Sequence, residues 1–296
     1  MGTKMNWQRW LMIAPAVVFF AVFALFPMLM AVYYSGLQWN GISSAKWVGV
    51  ANWGSVFHSG EALHALRLTA EVMVLSWVVQ TPISLLVGVF LAGRQRHRAV
   101  FGVFYFVPLL FSSVAIGVTW SYILNPNFGL LDALLKSLHI GNGNQNWLGN
   151  THLALLVVTL IIAWQFIPFH SLLYQGGAKQ IPDSLYEAAT IDGANVWNTF
   201  FSITLPQLKY TLITSSVLVL TGSLTYFDLI YVLTDGGPGD ATTVLAMDMY
   251  KQAFVNQNIG LGSVLAVILA VAGVILSILT LRFTGFNRME SQLEGM

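Results

Sequence analysis

One polar stretch decides how this chain is organised, and it reads Glu187-Ala-Ala-Thr-Ile-Asp-Gly-Ala-Asn-Val-Trp-Asn-Thr-Phe-Phe-Ser-Ile-Thr-Leu-Pro206. It lies between two long apolar runs, one ending near Tyr174 and the other beginning near Leu212. Because apolar runs of this length are typical of membrane-spanning helices, residues 176–210 are predicted to form a polar loop between two such helices.

Local signals divide this loop into two short helices. Asp183 is predicted as the N-cap of the first helix, and Gly193 ends that helix. A second helix is predicted over Val196–Phe201, ending before Leu205 and Pro206. The loop is therefore expected to contain two short helices joined at a glycine.

The composition is that of a membrane protein. Of the 296 residues, 56% are hydrophobic and only 8% are charged, whereas soluble proteins carry roughly 25% charged residues. The formal net charge of +1 gives no indication of nucleic-acid binding. The chain has no cysteine, which excludes disulfides, thiolate metal sites and cysteine nucleophiles.

The apolar runs are long enough to cross a membrane as helices. A hydrocarbon core of about 30 Å needs about 20 apolar residues, and no stretch shows the two-residue alternation of a membrane barrel. We predict an all-α integral membrane protein with about six transmembrane helices, in which residues 1–296 form a single transmembrane domain. The predicted spans are Leu11–Tyr34, Val72–Ala92, Val100–Leu124, Leu153–Tyr174, Leu212–Leu233 and Leu261–Arg282.

The distribution of lysine and arginine predicts the orientation, because basic residues collect on the cytoplasmic side. With the N-terminus inside, the cytoplasmic segments hold nine basic residues, namely Lys4, Arg9, Arg94, Arg96, Arg98, Lys179, Lys209, Arg282 and Arg288. The external segments hold four, namely Lys46, Arg67, Lys136 and Lys251. Both termini and the loop at residues 176–210 are therefore expected in the cytoplasm.

The fourth predicted span carries candidate pathway residues at mid-membrane depth. Gln165 and Phe169 are four residues apart and share a helix face, and Trp164 precedes them. An amide can hydrogen-bond to the hydroxyls of a polar solute, and an aromatic ring can pack on its C–H faces. The alternative is that Gln165 only hydrogen-bonds to a neighbouring helix, which is common in membrane proteins.

The fifth predicted span is the most polar. Ser223 and Tyr226 lie three residues apart near its middle and are candidates to line a pathway. Asp228 is the only Asp, Glu, Lys or Arg well inside any predicted span, so it is a candidate functional residue. A structural hydrogen bond or snorkelling of Asp228 to the external surface is the competing interpretation.

Two further features leave alternatives open or exclude function classes. Gln80-Thr81-Pro82 lies in the second span and is interpreted either as a kink or as part of a pathway.

The six histidines form no metal-binding cluster, and no Gly-x-x-x-x-Gly-Lys-Ser/Thr loop for ATP or Gly-x-Ser-x-Gly motif occurs. We therefore expect no metal site, no catalytic residue and no ATPase activity, so a transport pathway here needs a partner that supplies energy.

The loop carries a recognisable pattern. It contains Ile181-Pro182, Glu187-Ala188-Ala189, Asp192-Gly193-Ala194, Ile203, Leu205 and Pro206. This pattern resembles the EAA loop of permease subunits in binding-protein-dependent ABC importers, in its carbohydrate-importing variant. The passage from Tyr226 to Thr234, followed by Gly236-Gly237-Pro238, is also similar to permeases of that branch.

The resemblance implies a role for each matching residue. Glu187 would pair with a basic group of an ATPase subunit, Ala188 and Ala189 would allow close approach, and Gly193 would make the bend. Leu205 and Pro206 would fix the loop to the fifth span. The implied ATPase-coupling residues are Glu187, Ala188, Ala189, Asp192, Gly193, Ile203, Leu205 and Pro206.

The resemblance also implies partners and a location. Such a subunit pairs with a second permease, usually a different one, two ATP-binding subunits and an extracytoplasmic solute-binding protein. ATP and magnesium would bind to the ATPase partner, so this chain itself would hold no cofactor. The implied location is the plasma or inner membrane of a prokaryote, and the implied substrate is a sugar or oligosaccharide.

The alternative function is that of an ion-coupled secondary transporter in which Asp228 carries the ion. Uptake that survives the removal of ATP but is abolished by an ionophore would favour it. Within the sugar-importing branch, the sequence leaves open which sugar is carried and whether a solute such as glycerol phosphate takes its place.

Overall fold

The computed structural model describes residues 7–93, 95–140 and 145–283, and these are mainly helical. Backbone contacts divide the chain into two compact units. The first comprises the chain up to Leu63 together with Asp248–Val271. The second comprises His64–Met247 together with the chain from Ala272 onward. Among the basic residues used to predict the orientation, Lys4, Arg94 and Arg288 lie outside the described residues, and the orientation itself stays a prediction.

Sixteen α-helices are described, and three of them continue directly into a π-helical turn. The elements up to residue 140 are α1 (Trp7–Phe20) with its π-turn (Ala21–Leu25), α2 (Phe26–Ser35), β1 (Leu37–Gln38), β2 (Lys46–Trp47), α3 (Ala51–His58), α4 (Gly60–Ala92), α5 (Arg96–Tyr105), α6 (Val107–Leu110), α7 (Ser113–Ile123) and α8 (Leu130–Ser137). The later elements are α9 (Ala154–Ala178), α10 (Asp183–Ile191), α11 (Val196–Thr199) with its π-turn (Phe200–Thr204), α12 (Leu205–Gln207), α13 (Lys209–Ser223), α14 (Asp228–Thr234), α15 (Leu245–Tyr250) with its π-turn (Lys251–Val255) and α16 (Ile259–Phe283).

In the first unit, a small polar hub follows the first span. Strands β1 and β2 pair antiparallel, with Leu37 opposite Trp47, so the structure is not purely helical. The buried Asn52 amide donates hydrogen bonds to the carbonyl oxygens of Ser35 at 2.9 Å and Leu37 at 2.8 Å. These bonds satisfy the backbone where the first span ends, as a buried carbonyl requires.

Within the described residues, four helices are long and apolar enough to cross a membrane. They are Leu11–Ser35, Gly60–Ala92, Ala154–Ala178 and Ile259–Arg282. They coincide with the predicted first, second, fourth and sixth spans, although the second helix begins well before Val72, at Gly60. Two bent pairs of helices, Arg96–Leu110 with Ser113–Ile123 and Val196–Gln207 with Lys209–Ser223, bring the number to six if each pair counts as one span.

The predicted third span, Val100–Leu124, is wrong as a continuous helix. The segments Arg96–Leu110 and Ser113–Ile123 meet at a bend of 97°. The break has a local cause, because the Ser112 side chain accepts a hydrogen bond from the backbone N–H of Ala115 and caps a new helix.

The predicted fifth span, Leu212–Leu233, is also wrong as one helix. Helix α13 ends at Ser223, and α14 begins only at Asp228. The Thr225 hydroxyl donates to the carbonyl oxygen of Gly222 at 2.9 Å. This side chain thus competes for a carbonyl that a continuous helix would use, which favours a break.

In the second unit, polar side chains join the long helices. Ser84 Oγ on α4 donates to the carbonyl oxygen of Ile167 on α9 at 3.2 Å. Gln175 Nε2 on α9 donates to the carbonyl oxygen of Leu91 on α4 at 2.9 Å. Hydrogen bonds between helices are a main source of association where lipid weakens the hydrophobic drive, so they hold α4 and α9 together.

Candidate functional site

The predicted two-helix loop is present as a helical hairpin, which we define as residues 183–207. Helix α10 occupies Asp183–Ile191, and α11 begins at Val196 and continues through a π-turn into α12. The prediction of Asp183 as N-cap is wrong, because Pro182 holds that position and Asp183 is the first helical residue. Pro182 has an extended ψ of 133°, a non-helical conformation as an N-cap requires, and the helix does not need its missing N–H at this position.

The bend of the hairpin is a C-terminal motif centred on Gly193. Its φ of +71° is left-handed, a conformation that glycine adopts without steric cost. Gly193 N–H donates to Thr190 O at 3.1 Å, and Ala194 N–H donates to Ala189 O at 2.9 Å. This pair of bonds is the Schellman arrangement, which satisfies the last carbonyls of a helix.

The base of the hairpin is packed on the ends of the spans. Tyr186 Oη and Thr204 Oγ1 are 3.2 Å apart and link the two arms of the hairpin. An apolar cluster lies beneath, so the hairpin is fixed to the second unit at its base. The cluster consists of the buried Leu85, Tyr174, Ala178, Ile181 and Leu208, with Val89, Ala92, Leu185, Tyr186, Phe200, Leu205 and Leu212 packed against it.

The predicted coupling residues divide between the exposed surface and this base. Glu187 and Ala188 are exposed beside each other on α10, whereas Ala189 is buried. Leu205 belongs to the apolar packing at the base. Of the remaining four, Asp192, Gly193 and Pro206 are exposed and Ile203 is half-buried.

The exposed end of the hairpin is apolar, which the sequence analysis missed. Ile191 is 87% exposed, Val196 82% and Trp197 69%. The Trp197 ring stacks on Phe201, with the ring centroids 6.3 Å apart. Large exposed apolar surfaces mark interaction sites, and the signal available in the sequence was the Val196-Trp197 pair directly after a polar turn.

A second candidate region is a cavity of about 390 Å³ among α6, α7, α9, α13 and α14. The gap between α13 and α14 opens onto it, so the broken fifth span forms part of its wall. Its lining residues are Leu109, Ser113, Ile162, Phe166, Phe169, His170, Leu218, Gly222, Thr225, Tyr226, Phe227, Asp228 and Leu229.

Tyr226 is tied to two other helices at this cavity. Its ring stacks on Phe166, with centroids 5.8 Å apart and an interplanar angle of 20°. Its hydroxyl oxygen accepts a hydrogen bond from Gln80 Nε2 at 3.3 Å. Gln80 is completely buried, and its Oε1 has no hydrogen-bond partner among the described residues. Gln80 therefore contributes to the support of the cavity wall, beyond any effect of the neighbouring proline on the helix.

The structure brings three of the six predicted pathway residues together. Phe169, Tyr226 and Asp228 all line the cavity. Gln165 is buried and is not itself a lining residue, but its Nε2 donates a hydrogen bond to Oγ of the lining residue Ser113 at 3.4 Å. The aromatic lining residues Phe166 and Phe227 were missed, because each reads as an ordinary apolar residue in its span.

The other two predicted pathway residues do not line this cavity. Trp164 is exposed, and its ring meets the edge of Trp120 with centroids 5.6 Å apart. Ser223 is buried, and its hydroxyl donates to Val219 O of its own helix at 2.7 Å. Their roles stay predictions, with Trp164 placed on an outer face and Ser223 in helix packing.

His170 also lines the cavity, and its Nδ1 lies 3.0 Å from Ser215 Oγ. Within the described residues, no group of three or more His, Asp or Glu side chains is arranged to hold a metal ion. The arrangement of rings, hydroxyls and one carboxylate is suited to a polar organic solute with apolar faces.

The chain is similar to known transport proteins over most of its length. Residues 82–285 match the model of the family described as binding-protein-dependent transport system inner membrane component. The probable ABC transporter permease protein YurN of Bacillus subtilis (strain 168) is 33% identical over 93% of this chain and 94% of its own. The trehalose/maltose transport system permease protein MalF of Thermococcus litoralis is 32% identical over 94% of each chain.

The fold is similar to a solved structure as well. A chain of a bacterial alginate ABC transporter, solved in complex with an alginate pentasaccharide-bound periplasmic protein, superposes with a TM-score of 0.83. The identity is 20%, and the match covers 95% of each chain. At this identity the likeness concerns the fold alone.

Proposed function

Because this chain belongs to the family of binding-protein-dependent transport system inner membrane components, we propose that it forms the pathway of an ATP-driven ABC importer for sugars or oligosaccharides. It is a multi-pass membrane protein of the ABC permease type. The main structural support for this proposal is the hairpin. Its base is packed on the spans, while Glu187, Ala188 and its apolar end are exposed. That arrangement suits a part that docks on another subunit.

The proposed coupling is mechanical. ATP closes two ATPase subunits, and each hairpin that is docked on them moves as a rigid lever. The Gly193 motif and the Tyr186–Thr204 link keep the two arms of the hairpin together during that motion. To shift the spans strongly between outward-open and inward-open states, ATP must favour one state by several kcal/mol, on the order of 5.

The proposed solute pathway includes the cavity at the break of the fifth span. Phe166, Phe169 and Tyr226 offer ring faces, and Asp228 and Thr225 offer polar groups. Sugars present C–H faces and hydroxyls, so such a lining can recognise both. Support for a sugar comes from the relative that is named for trehalose and maltose and from the structural neighbour that is named for alginate.

The proposed assembly contains a second permease, two ATP-binding subunits and an extracytoplasmic binding protein. The structural neighbour with its periplasmic protein supports the last partner. Purification of the tagged chain from its own cells, with mass spectrometry of the copurified subunits, is expected to recover an ATPase and a second permease. Recovery of the chain without any ATPase would contradict the proposal.

Uptake measurements test the solute class and the energy source together. Cells that express the assembly are expected to accumulate a labelled disaccharide or maltooligosaccharide. Vanadate, which traps ATPases, is expected to stop uptake, and a protonophore applied at constant ATP is expected to leave it intact. The opposite pattern would favour the ion-coupled transporter that uses Asp228.

A further inference from the structure

A cavity that the proposed pathway does not use lies between the hairpin and the turn after α4. Its volume is about 880 Å³, and we call it the basic cavity. It reaches Ala92 at the end of α4 and Ala178 at the end of α9. Because both helices are membrane spans, the basic cavity lies where hydrocarbon gives way to lipid headgroups.

Two cationic side chains line the basic cavity, Arg98 on α5 and Lys179 after α9. One carboxylate, Asp183, also lies on its wall. Uncharged hydrogen-bonding groups complete the polar part of the lining, but the hydroxyls of Tyr186, Thr190, Thr199 and Thr204 already bond within the chain, so the attraction for an anion comes from the two cationic side chains. The uncharged groups are the side chains of Gln95, Tyr186, Thr190, Thr199 and Thr204.

Arg98 is held in a fixed position. Its Nη1 donates to the carbonyl oxygen of Phe90 at 2.7 Å, and its Cζ lies 4.6 Å from the centre of the Phe90 ring. Its guanidinium lies directly against Gly93, where any side chain would collide with Nη1. The Arg98 Nε is buried and has no hydrogen-bond partner among residues 7–93, 95–140 and 145–283. A guanidinium fixed in this way is suited to a phosphate.

The other part of the lining is apolar and selects among anions. Val89, Ala92, Ile181, Val196 and Phe200 belong to it. Inorganic phosphate would leave this apolar surface without contacts, whereas a lipid would cover it with its glycerol and upper acyl chains.

We propose that the basic cavity binds an anionic phospholipid, with the phosphate group between Arg98 and Lys179. Because Tyr186 and Thr204 belong to both the lining and the link between the hairpin arms, the bound lipid bridges the hairpin and the end of α4. Given the coupling role proposed above, an occupied cavity would stiffen the lever. Binding itself is independent of that role, so it is measured separately.

Native mass spectrometry of the purified transporter complex in detergent tests the proposal. Phosphatidylglycerol is titrated against phosphatidylcholine, and the anionic lipid is expected to bind about tenfold more tightly. Arg98→Gln and Lys179→Gln are each expected to weaken phosphatidylglycerol binding about tenfold, the usual effect of losing one charge-assisted hydrogen bond. Lys179 is exposed, so its variant leaves the fold intact even if the Arg98 variant is unstable.

Arg96→Gln is the matched control. Arg96 lies on α5, two residues before Arg98, but is exposed and outside the lining, so its variant should bind phosphatidylglycerol like the unaltered chain. Equal binding by the Lys179 and Arg96 variants, or equal binding of the two lipids, would overturn the proposal. Displacement of the lipid by millimolar inorganic phosphate would also overturn it, because the site would then take free phosphate. All of these readouts stay valid if the chain transports no sugar.

Discussion

The hairpin and the cavity of the pathway are built from contacts of different range. In the hairpin, the bend is closed between residues five apart in sequence, Ala189 and Ala194. At the cavity, Gln80 and Tyr226 are joined across 146 positions. The hairpin is therefore a compact local piece, whereas the cavity exists only where separate helix segments meet.

This difference matters for a transporter. A local piece with a packed base moves without changing its shape, which is what the transmission of force requires. A cavity walled by separate segments changes when those segments shift, which is what alternating access requires. Substitutions in the hairpin should therefore impair coupling, and substitutions at the cavity should alter the handling of the solute.

The largest effect is expected from the hairpin. In the double variant Glu187→Ala, Gly193→Asp, the exposed carboxylate of α10 is lost, and a charged side chain is placed at the bend, where the φ of +71° is adopted at lower cost by glycine than by aspartate. We expect uptake of labelled sugar to fall to background while the amount of chain in the membrane stays normal. Uptake assays with quantitative immunoblotting of membranes measure both.

Gly176→Asp is the matched control for the glycine. Gly176 lies near the end of α9, is exposed and has open space where a side chain would extend, but its φ is not positive. Its variant should transport normally. Normal uptake by the double variant would refute the proposal that the hairpin is a lever.

The next effect concerns the base of the hairpin. Leu208 is 1% exposed within the apolar cluster. Leu208→Ala should destabilise that packing by roughly 2–5 kcal/mol, because it leaves a cavity. Trypsin cleavage at Lys179 and Lys209 in membrane vesicles should accelerate. Val196→Ala removes an exposed side chain and should leave the cleavage rate unchanged; equal rates for both variants would show that the base does not fix the hairpin.

A smaller effect is expected at the wall of the pathway cavity. Tyr226→Phe removes the hydroxyl that accepts from Gln80, and leaving a buried amide unsatisfied costs about 1–3 kcal/mol. Sugar uptake at low concentration should fall about tenfold with little change in sensitivity to vanadate. Tyr122→Phe alters an exposed tyrosine and serves as control. A change in ATP coupling without a change in solute affinity would contradict the division between the two regions.

The smallest effect is expected from Asp228→Asn. Asp228 is an exposed residue at the start of α14, on the wall of the pathway cavity. If ATP drives transport, uptake should persist and remain insensitive to a protonophore. Complete loss of uptake by the variant, together with abolition of the unaltered chain's uptake by a protonophore, would instead indicate an ion-coupled mechanism.

The difference between the local contacts of the hairpin and the long-range contacts of the pathway cavity also explains what could be predicted from the sequence. The hairpin was predicted because its determinants are local, namely a glycine at the bend and a polar stretch between apolar runs. Two details of the predicted hairpin were wrong. Pro182 holds the N-cap position in place of Asp183, and the second helix continues through a π-turn beyond Phe201. The four long spans were predicted because length and hydropathy suffice for them.

The breaks in the third and fifth spans were not predicted. Both 100–124 and 212–233 are apolar enough to be taken as one span, and the features found at the breaks are local hydrogen bonds of single hydroxyls, Ser112 and Thr225. The cavity was only partly predicted for a related reason. Tyr226 and Asp228 could be singled out because polar residues are unusual in an apolar span. Phe166 and Phe227 are ordinary apolar residues in the sequence, and only the packing of the helices shows that they line the cavity.

Cross-linking from the hairpin tests the central claim most directly. The chain has no cysteine, so Ala188→Cys places one thiol on the exposed face of α10, and Asn127→Cys places one in a segment predicted to be external. With a short thiol-to-amine cross-linker in the assembled transporter, Ala188→Cys should form an adduct with the ATPase subunit that changes on addition of ATP, and Asn127→Cys should form none. No ATPase adduct from position 188, or one from position 127, would contradict the claim that this hairpin receives the motion of the ATPase.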